Sequence, residues 1–522
     1  MENKSINKFV YLVFGIVLGY LLFNFVSQRG LSKDAKKFNE IIQLTKEYYL
    51  TDTKEENLFE SAINGMFEEL DPHSSYLSAD FQKNAQEDLR GDFEGIGIEF
   101  QILRDTINVV SAIANGPSDK LGIIPGDRII SVDNKNVIKI PSEKVIKLLR
   151  GEKGTTVEVK IFRPSNKKIL NYTIVRDKIP IFSVDSYFMI DKEVGYISVS
   201  KFSETTTNEI LKALYDLKSH GMKKLVFDLR GNPGGLLSQA FQVADLFISD
   251  NKLIVSTKGR KSEFDEEYKA SYNSPFEDIP LILLINHGSA SASEIVAGAI
   301  QDWDRGVILG QTSFGKGLVQ RPFILDDGSA IRLTVAKYYT PSGRAIQRKY
   351  TNDRKEYYLE SVNDSSREKE IKNEKKYKTH NGRIVYENGG ITPDIKIEND
   401  MISDFYVELR KENVFYEFVR YAIDKNLVQI NKELFPNVDS FKNKFQIDKK
   451  LSYEFTKFIQ SKKIKFDSDK YLKDKLNIDN RLKAHFAREL FNNDGWYSVL
   501  IENDNYVKKS ISIFSNYKDY LK

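Results

Sequence analysis

The hydrophobic pattern changes several times along the 522 residues of the chain. An uncharged apolar run at residues 9–26 is long enough for a short membrane-spanning helix. Apolar residues at helical spacing follow and stop at Asp71-Pro72, and strands with period-two alternation replace them from about Gly91. Further along, apolar strands mix with amphipathic helices, and the last 120 or so residues are again typical of helices.

These changes predict a multidomain α/β protein. Its predicted parts are a signal anchor or transmembrane helix at 1–29, an N-terminal helical segment at 30–88, a β domain at 89–178, an α/β body at 179–400 and an α-helical C-terminal extension at 401–522. We expect the anchor to stay uncleaved, because the apolar run exceeds a typical signal-peptide core and no small-residue cleavage site follows it. A cleaved signal peptide is the alternative.

Composition narrows the class of function. The net charge is +4, and the 78 basic and 74 acidic residues are spread along the chain, which argues against a nucleic-acid partner. The absence of cysteine excludes disulfides, thiol nucleophiles and thiolate metal sites. The five histidines show no metal-ligand spacing, so we predict neither metal nor cofactor.

The stretch from residue 281 to 320 carries the candidate chemistry. The apolar run Leu281–Ile285 predicts a buried strand, and a helix is expected to begin near Glu294. Ser291 and Glu294 form a capping box, which places Ser291 at the positive end of the helix beside unpaired N–H groups. Lys316 lies between two glycines, where tight turns can bury it and lower its pKa.

The order of S-A-S-A-S-E, F-G-K-G and a glutamine four residues after the lysine resembles the C-terminal processing (tail-specific) peptidases. The resemblance implies a crotonase-like core and a serine endopeptidase that needs no cofactor. It makes Ser291 the nucleophile, Lys316 the general base and Gln320 the residue that orients the lysine. The eight residues before the apolar run favour a cytosolic N-terminus and an exported body, so we expect a bacterial cell-envelope protein anchored in the inner membrane with its catalytic body in the periplasm.

A glycine-rich turn, R-G-N-P-G-G at 230–235, follows the apolar strand at 224–229. Such a turn could bind phosphate, but no Lys-Ser/Thr pair follows it. The family resemblance implies instead that Gly234 or Gly235 supplies one oxyanion N–H and Ala292 the other.

Other arrangements remain open from the sequence. His287 could pair with Ser291 as a Ser-His catalyst, although no acidic partner for the histidine stands out. Ser289 or Ser293 could replace Ser291 as the nucleophile. His73 is interpreted as a turn residue rather than a ligand or base.

The G-I-G-I sequence formed by Gly95, Ile96, Gly97 and Ile98, with the order of strands and helix after it, resembles a PDZ domain. The segment L-D-P-H-S-S-Y-L at 70–77 resembles the family sequence that precedes this domain. The resemblance implies that backbone N–H groups of the glycine loop capture a terminal carboxylate and that the adjoining strand takes the peptide. Protein substrates bound by their C-terminal tails are the predicted partners.

Two segments carry less specific predictions. The charged insert at 348–378 is interpreted as a solvated surface loop. The C-terminal helices could serve a homodimer or an adaptor, without a residue-level argument for either. A catalytically silent PDZ scaffold and a tail-binding chaperone are the alternative functions.

Overall fold

The structure is a computed structural model that describes residues 32–249, 251–350, 353–361, 371, 374–398, 402–462 and 464–522. The predicted anchor at 9–26 lies outside these residues. Within them, no helix combines the length and apolar character needed to cross a bilayer.

The N-terminal segment is mainly helical, and it contains one short strand that pairs with a strand of the α/β body. It consists of α1 (Lys33–Tyr48), α2 (Glu55–Glu68), β1 (Ser75–Leu77) and α3 (Ala79–Arg90). Strand β1 belongs to the same antiparallel sheet as a long strand of the α/β body, with Tyr76 opposite Ile331. The helical segment predicted at 30–88 contains nearly all of α3, but the prediction missed β1, which is only three residues long.

The β domain is a five-stranded sheet with a short added strand, packed on one amphipathic helix. Its elements are β2 (Asp92–Gly95), β3 (Ile98–Leu103), β4 (Thr106–Ala112), α4 (Pro117–Lys120), β5 (Arg128–Val132), β6 (Lys135–Asn136), α5 (Ser142–Leu149), β7 (Thr156–Arg163), β8 (Lys168–Val175) and β9 (Asp177–Pro180). The strand order is β3-β4-β5-β7-β8, so β3 is an edge strand. Strands β2 and β9 pair separately as a two-stranded ribbon that joins the domain to the rest of the chain.

The α/β body contains a six-stranded sheet and a five-stranded antiparallel sheet. Its elements before residue 398 are β10 (Val184–Met189), β11 (Val194–Val199), α6 (Thr206–Ser219), β12 (Lys224–Asp228), α7 (Leu237–Asp245), β13 (Leu253–Gly259), β14 (Glu266–Lys269), β15 (Leu281–Ile285), α8 (Ala292–Asp302), β16 (Val307–Gly310), β17 (Leu318–Ile324), β18 (Ala330–Tyr339), α9 (Arg354–Glu360), β19 (Lys376–Lys378), β20 (Ile384–Tyr386) and β21 (Ile395–Lys396). The central sheet has the order β10-β11-β12-β15-β16-β21, parallel from β11 onward.

Both faces of this parallel sheet are covered, as its continuous apolar strands require. On one face, Phe227 and Leu283 pack with the helices of the body. On the other face, Val226 and Leu284 pack with Val507 and other residues near the C-terminus. The end of the chain is therefore part of the hydrophobic core of the α/β body.

The C-terminal extension is helical, as predicted. Its helices are α10 (Asp404–Lys411), α11 (Val414–Asp424), α12 (Val438–Lys444), α13 (Lys449–Gln460), α14 (Ser468–Lys473), α15 (Lys475–Leu500) and α16 (Asn505–Ile513). Helix α12 was missed by the pattern. Helix α15 crosses the predicted break near residue 477 and instead kinks at Asn492, whose φ is 52°. Buried aromatic residues fill the centre of this helical part, which confirms their interpretation as core.

Candidate active site

Ser291 sits between the buried strand β15 and helix α8, in a backbone conformation that few residues adopt. Its φ is 55° and its ψ is −111°, a region that costs of order 1–3 kcal/mol for a residue other than glycine. Helix α8 begins at Ala292, two residues before the predicted start, so Ser291 is its N-cap.

The two neighbouring serines are buried structural residues. Ser289 and Ser293 have no exposed surface. The Ser289 hydroxyl donates to the carbonyl of Leu229 at 2.8 Å, and the Ser293 hydroxyl donates to the carbonyl of Asn232 at 2.9 Å. Ser291 is partly exposed. Of the three serines, it is the one that a substrate can reach.

The carboxylate of Glu294 joins the serine segment to the lysine segment. One oxygen accepts the backbone N–H groups of Ser291 and Lys316, each at 2.8 Å. The other oxygen accepts the N–H of Gly315 at 2.7 Å and the hydroxyl of Ser313 at 2.5 Å. Burial raises the pKa of Glu294, and these four donors oppose that rise. The capping glutamate thus also fixes the lysine loop, which the sequence did not indicate.

Tyr338 contacts the same two segments from β18. Its buried hydroxyl lies 2.6 Å from the carbonyl oxygen of Lys316 and 3.1 Å from that of Ser291. Together with the glutamate, this hydroxyl sets the spacing between the two chain segments through their backbones. The side chains of Ser291 and Lys316 therefore project from two rigidly connected positions.

Lys316 is largely buried, and its pKa is lowered from 10.5 to about 8. Burial is the largest cause, and the positive charge of Arg332 adds to it, whereas the negative charges of Glu294 and Asp71 oppose it. A lysine with this pKa is neutral in a substantial fraction of molecules near neutral pH, as a general base requires.

No hydrogen bond joins Gln320 to Lys316 in the described part of the chain. Its amide donates to the carbonyl of Leu318 at 3.3 Å and to the hydroxyl of Thr334 at 3.5 Å. The register of β17 against β18 shifts at Gln320, which changes the direction of this side chain. Thr334 in turn donates to Asp71 at 3.0 Å. No direct hydrogen bond among the described residues therefore supports the predicted role of Gln320 in orienting Lys316, and that role stays a prediction.

His73 lies near the lysine but is not arranged as a catalyst. Its Nε2 is 3.2 Å from the hydroxyl of Tyr357, and its ring packs edge-on against Phe314 and Tyr357. Burial, with the charge of Lys316 next in importance, lowers the pKa of His73 to about 4. It is neutral at physiological pH, which fits the interpretation of a turn residue.

Tyr357 belongs to the charged insert that was interpreted as a solvated loop. Its side chain is almost fully buried, and the guanidinium of Arg348 lies 4.1 Å from its ring centre. The solvated-loop interpretation is therefore wrong for α9, which packs against the turn that contains His73. The aromatic residues of α9 among so many charges were the signal available in the sequence.

His287, the rival base, is directed toward the lysine segment. Its Nδ1 lies 3.0 Å from the carbonyl oxygen of Thr312. Because a carbonyl only accepts, this contact places the proton of a neutral imidazole on Nδ1.

The glycine-rich turn at 230–235 reaches the serine. A Cβ added to Gly234 would lie 2.9 Å from the Cβ of Ser291 and 2.9 Å from the N of Ala292. The N–H of Gly234 is occupied, since it donates to the side chain of Asn232 at 2.9 Å. Among the described residues, the N–H groups of Gly235 and Ala292 have no acceptor.

Three of the four residues predicted to bind a peptide, Ile96, Gly97 and Ile98, line a pocket in the β domain. This pocket of about 290 Å³ lies between β3 and α5. Its lining residues are Phe93, Ile96, Gly97, Ile98, Phe100, Ser142, Ile146, Leu149 and Arg150. The N–H groups of Ile96 and Gly97 find no acceptor within the described ranges. Strand β3, next to these donors, pairs only with β4 among the described strands, so its other edge is free there.

Four protein families match separate parts of the chain. The sequence model of peptidase family S41 matches residues 193–355, and that of a PDZ domain matches 109–163. Residues 24–81 match the N-terminal domain of the activating protease CtpB, and 405–492 match a family of unknown function (DUF8443). The carboxy-terminal-processing protease of Bartonella bacilliformis is 38% identical over 352 residues, which are 66% of this chain and 80% of the relative.

The chain belongs to the carboxy-terminal-processing protease family. The CtpA protease of Bacillus subtilis is 37% identical, covering 62% of this chain and 70% of the relative. The solved photosystem II D1 C-terminal processing protease matches 72% of this chain and 95% of its own length, with 25% identity and a TM-score of 0.36. The protein is thus a serine protease with a PDZ domain, which argues against the silent-scaffold alternative.

Proposed function

We propose that Ser291 and Lys316 form the catalytic dyad of this protease. The observation that carries the proposal is the shared Glu294 carboxylate, which binds the backbones of both residues and fixes their spacing. The lowered pKa of Lys316 and the accessibility of Ser291 alone among the three serines support it.

The mechanism follows from these groups. Neutral Lys316 takes the proton of the Ser291 hydroxyl as its oxygen attacks the scissile carbonyl carbon. The protonated lysine then gives this proton to the leaving amine nitrogen, and the C–N bond breaks to leave an acyl-enzyme. A water that Lys316 deprotonates attacks the ester, and return of the proton to Ser291 frees the new carboxyl terminus.

The developing oxyanion needs two aligned N–H donors, and we assign them to Ala292 and Gly235. The carbonyl of Gly234 accepts the N–H of Phe202 at 2.9 Å. Because a trans peptide directs its N–H opposite to its carbonyl, the N–H of Gly235 points away from Phe202. We call residues 230–235 the oxyanion loop.

The PDZ groove serves to hold the substrate's C-terminal tail. Ile98, Phe100 and Ile146 make the pocket apolar, so an apolar final side chain fits it. The N–H groups of Ile96 and Gly97 are the donors for the terminal carboxylate, and the peptide adds to the free edge of β3.

For location, we propose that residues 9–26 anchor the protein in the inner membrane and that the catalytic body lies in the periplasm. The uncharged run of 18 residues supports this assignment. Protease added to intact spheroplasts should degrade the body, whereas protection until the cells are lysed would contradict it.

The dyad is tested with an unfolded reporter protein that ends in an apolar tail. Ser291→Ala, Lys316→Ala and Lys316→Arg should each lower kcat/KM by at least about a thousandfold without unfolding the protein. Lys258→Ala, which removes an exposed lysine of the same body, should leave the rate unchanged. Turnover by Lys316→Ala close to the wild-type rate would overturn the assignment.

A further inference from the structure

The C-terminal extension contributes a carboxylate to the base of the oxyanion loop. Asp504, at the N-cap of α16, forms an ion pair with Arg230, the first residue of the loop, at 2.8 Å. The ring of Tyr506 lies 4.7 Å from the same guanidinium. These two residues reach the loop from a part of the chain that lies beyond the 193–355 match to the peptidase family.

Arg230 is held from two sides. Asp228, at the end of β12, binds its Nε and Nη2, the shortest contact being 2.6 Å, whereas Asp504 binds Nη1. All three side chains are at most 19% exposed. Ion pairs with this degree of burial are screened less by solvent than surface pairs, and the loss of Asp504 would leave the buried guanidinium of Arg230 held by Asp228 from one side.

The rest of the loop is fixed by the catalytic body. The N–H of Gly231 donates to the side chain of Asn286 at 2.9 Å, and the carbonyl of Asn232 accepts from the N–H of Ala290 at 3.0 Å. Residues 231 and 232 are therefore held by the α/β body, whereas Arg230 is held in part by Asp504 of the extension. Through Arg230, the extension can affect the direction of the Gly235 N–H.

We propose that the C-terminal extension supports catalysis by positioning the oxyanion loop. Asp504 is the positioning residue, and it holds the loop through its ion pair with Arg230. The inference rests on the proposed role of that loop in catalysis. It assigns a function to helices for which the sequence offered only a dimer or an adaptor, and that earlier alternative stays a prediction.

Asp504 has a second role, which the test has to keep. Its carboxylate caps α16 by accepting the N–H groups of Tyr506 at 2.8 Å and Val507 at 3.3 Å. Asparagine is as good an N-cap as aspartate but carries no charge. Asp504→Asn therefore removes the ion pair and keeps the cap, and Asp504→Glu keeps the charge.

The experiment compares the full-length variants on the reporter with the apolar tail. Since losing an oxyanion donor costs about 10²–10³ in kcat, a donor that is displaced rather than lost should cost about tenfold. We expect Asp504→Asn to lower kcat about tenfold with KM within about twofold, and Asp504→Glu to recover most of the rate. A peptide aldehyde, which forms a tetrahedral adduct, should bind Asp504→Asn more weakly by the same factor as kcat.

Asp448→Asn is the matched control, because Asp448 caps α13 in the same extension through the N–H of Leu451 at 2.7 Å. It should leave kcat unchanged. Equal kcat for Asp504→Asn and Asp448→Asn, with Ser291→Ala inactive, would overturn this inference and leave the proposed function intact. The inference would also be overturned if Asp504→Asn lowered both kcat and Tm but bound the aldehyde as tightly as the wild type does. Equal cleavage by wild type and Ser291→Ala would refute the proposed function itself.

Discussion

The pKa of Lys316 determines how the rate should depend on pH. With a pKa of about 8, about a tenth of the free enzyme carries a neutral lysine at pH 7, so kcat/KM should rise nearly tenfold per pH unit below about pH 7 and level off above about pH 9. The charge of Arg332 helps to lower this pKa, so Arg332→Gln should move the rise to higher pH.

The matched control for this prediction is Arg321→Gln, which removes an exposed arginine from β17. Its profile should coincide with that of the wild type. A rate that is flat between pH 6 and 9 would show that the neutral form of Lys316 does not limit the reaction.

The same buried lysine should cost stability. Because its pKa falls from 10.5 to about 8 on folding, the unfolded chain binds more protons between these values, and stability should rise with pH across that window. The difference corresponds to roughly 3 kcal/mol of cost at neutral pH. Lys316→Met should therefore raise the free energy of unfolding at pH 7 while abolishing activity.

Denaturant unfolding at pH 7 and pH 10 checks this prediction. The advantage of Lys316→Met over the wild type should shrink toward the higher pH, because the wild-type lysine is then neutral when folded. A variant less stable than the wild type at pH 7 would mean that Lys316 makes favourable contacts that exceed its burial cost.

The conformation of the oxyanion loop requires glycine at position 235. A Cβ on Gly235 would lie 2.0 Å from the carbonyl oxygen of Phe202, so Gly235→Ala must displace the loop. We expect kcat to fall by about a hundredfold or more, with the PDZ domain unaffected. Gly231→Ala is the control, because its φ is also positive, at 72°, but no atom lies within 4 Å of the added Cβ.

Steady-state kinetics of the two alanine variants decide this prediction. Gly231→Ala should lose some stability, because alanine is strained at a positive φ, but it should keep nearly the wild-type kcat. Similar kcat values for both variants would show that displacement of the loop at Gly235 is not what limits catalysis.

The elements of the site differ in how well the sequence predicts them. The S-x-x-E spacing placed Ser291 at a helix N-cap, because that signal involves neighbouring residues only. The link from Glu294 to Lys316 joins residues 22 positions apart, and its direction depends on two loops meeting in space. The sequence therefore predicts the contact of Glu294 with Ser291 but not its contact with the backbone of Lys316.

Across the whole molecule, the contacts between distant segments were the least predictable. Arg230 and Asp504 are far apart in the sequence, and nothing local marks either of them as a partner of the other. The order of domains followed from changes in hydrophobic period, whereas the packing of residues near the C-terminus on the central sheet required the fold itself.

The extension also contacts the PDZ domain on the edge strand that would take the peptide. The Nη2 of Arg488, on α15, donates to both carboxylate oxygens of Glu99, on β3, at 2.8 Å each. For a partly exposed pair, a double-mutant cycle with Arg488→Gln and Glu99→Gln should give a coupling of about 0.5–1 kcal/mol. Amide exchange in β3 should become faster in both single variants.

Lys153→Gln is the control for this contact, because Lys153 pairs with Asp177 in an exposed ion pair of the same domain that does not involve β3. It should leave exchange in β3 unchanged. Equal exchange in β3 for Arg488→Gln and the wild type would show that the extension does not restrain the peptide-binding strand.

We propose that Ser291 cleaves proteins whose tails are held by the PDZ groove. Its most direct test incubates the full-length protein in detergent with two unfolded reporters, one with an apolar tail and one with an acidic tail, and follows the fragments by mass spectrometry. Wild type should cleave the apolar-tailed reporter much faster, and Ser291→Ala should bind that tail but cleave neither reporter. Cleavage of both reporters at equal rates, or cleavage by Ser291→Ala, would contradict the account.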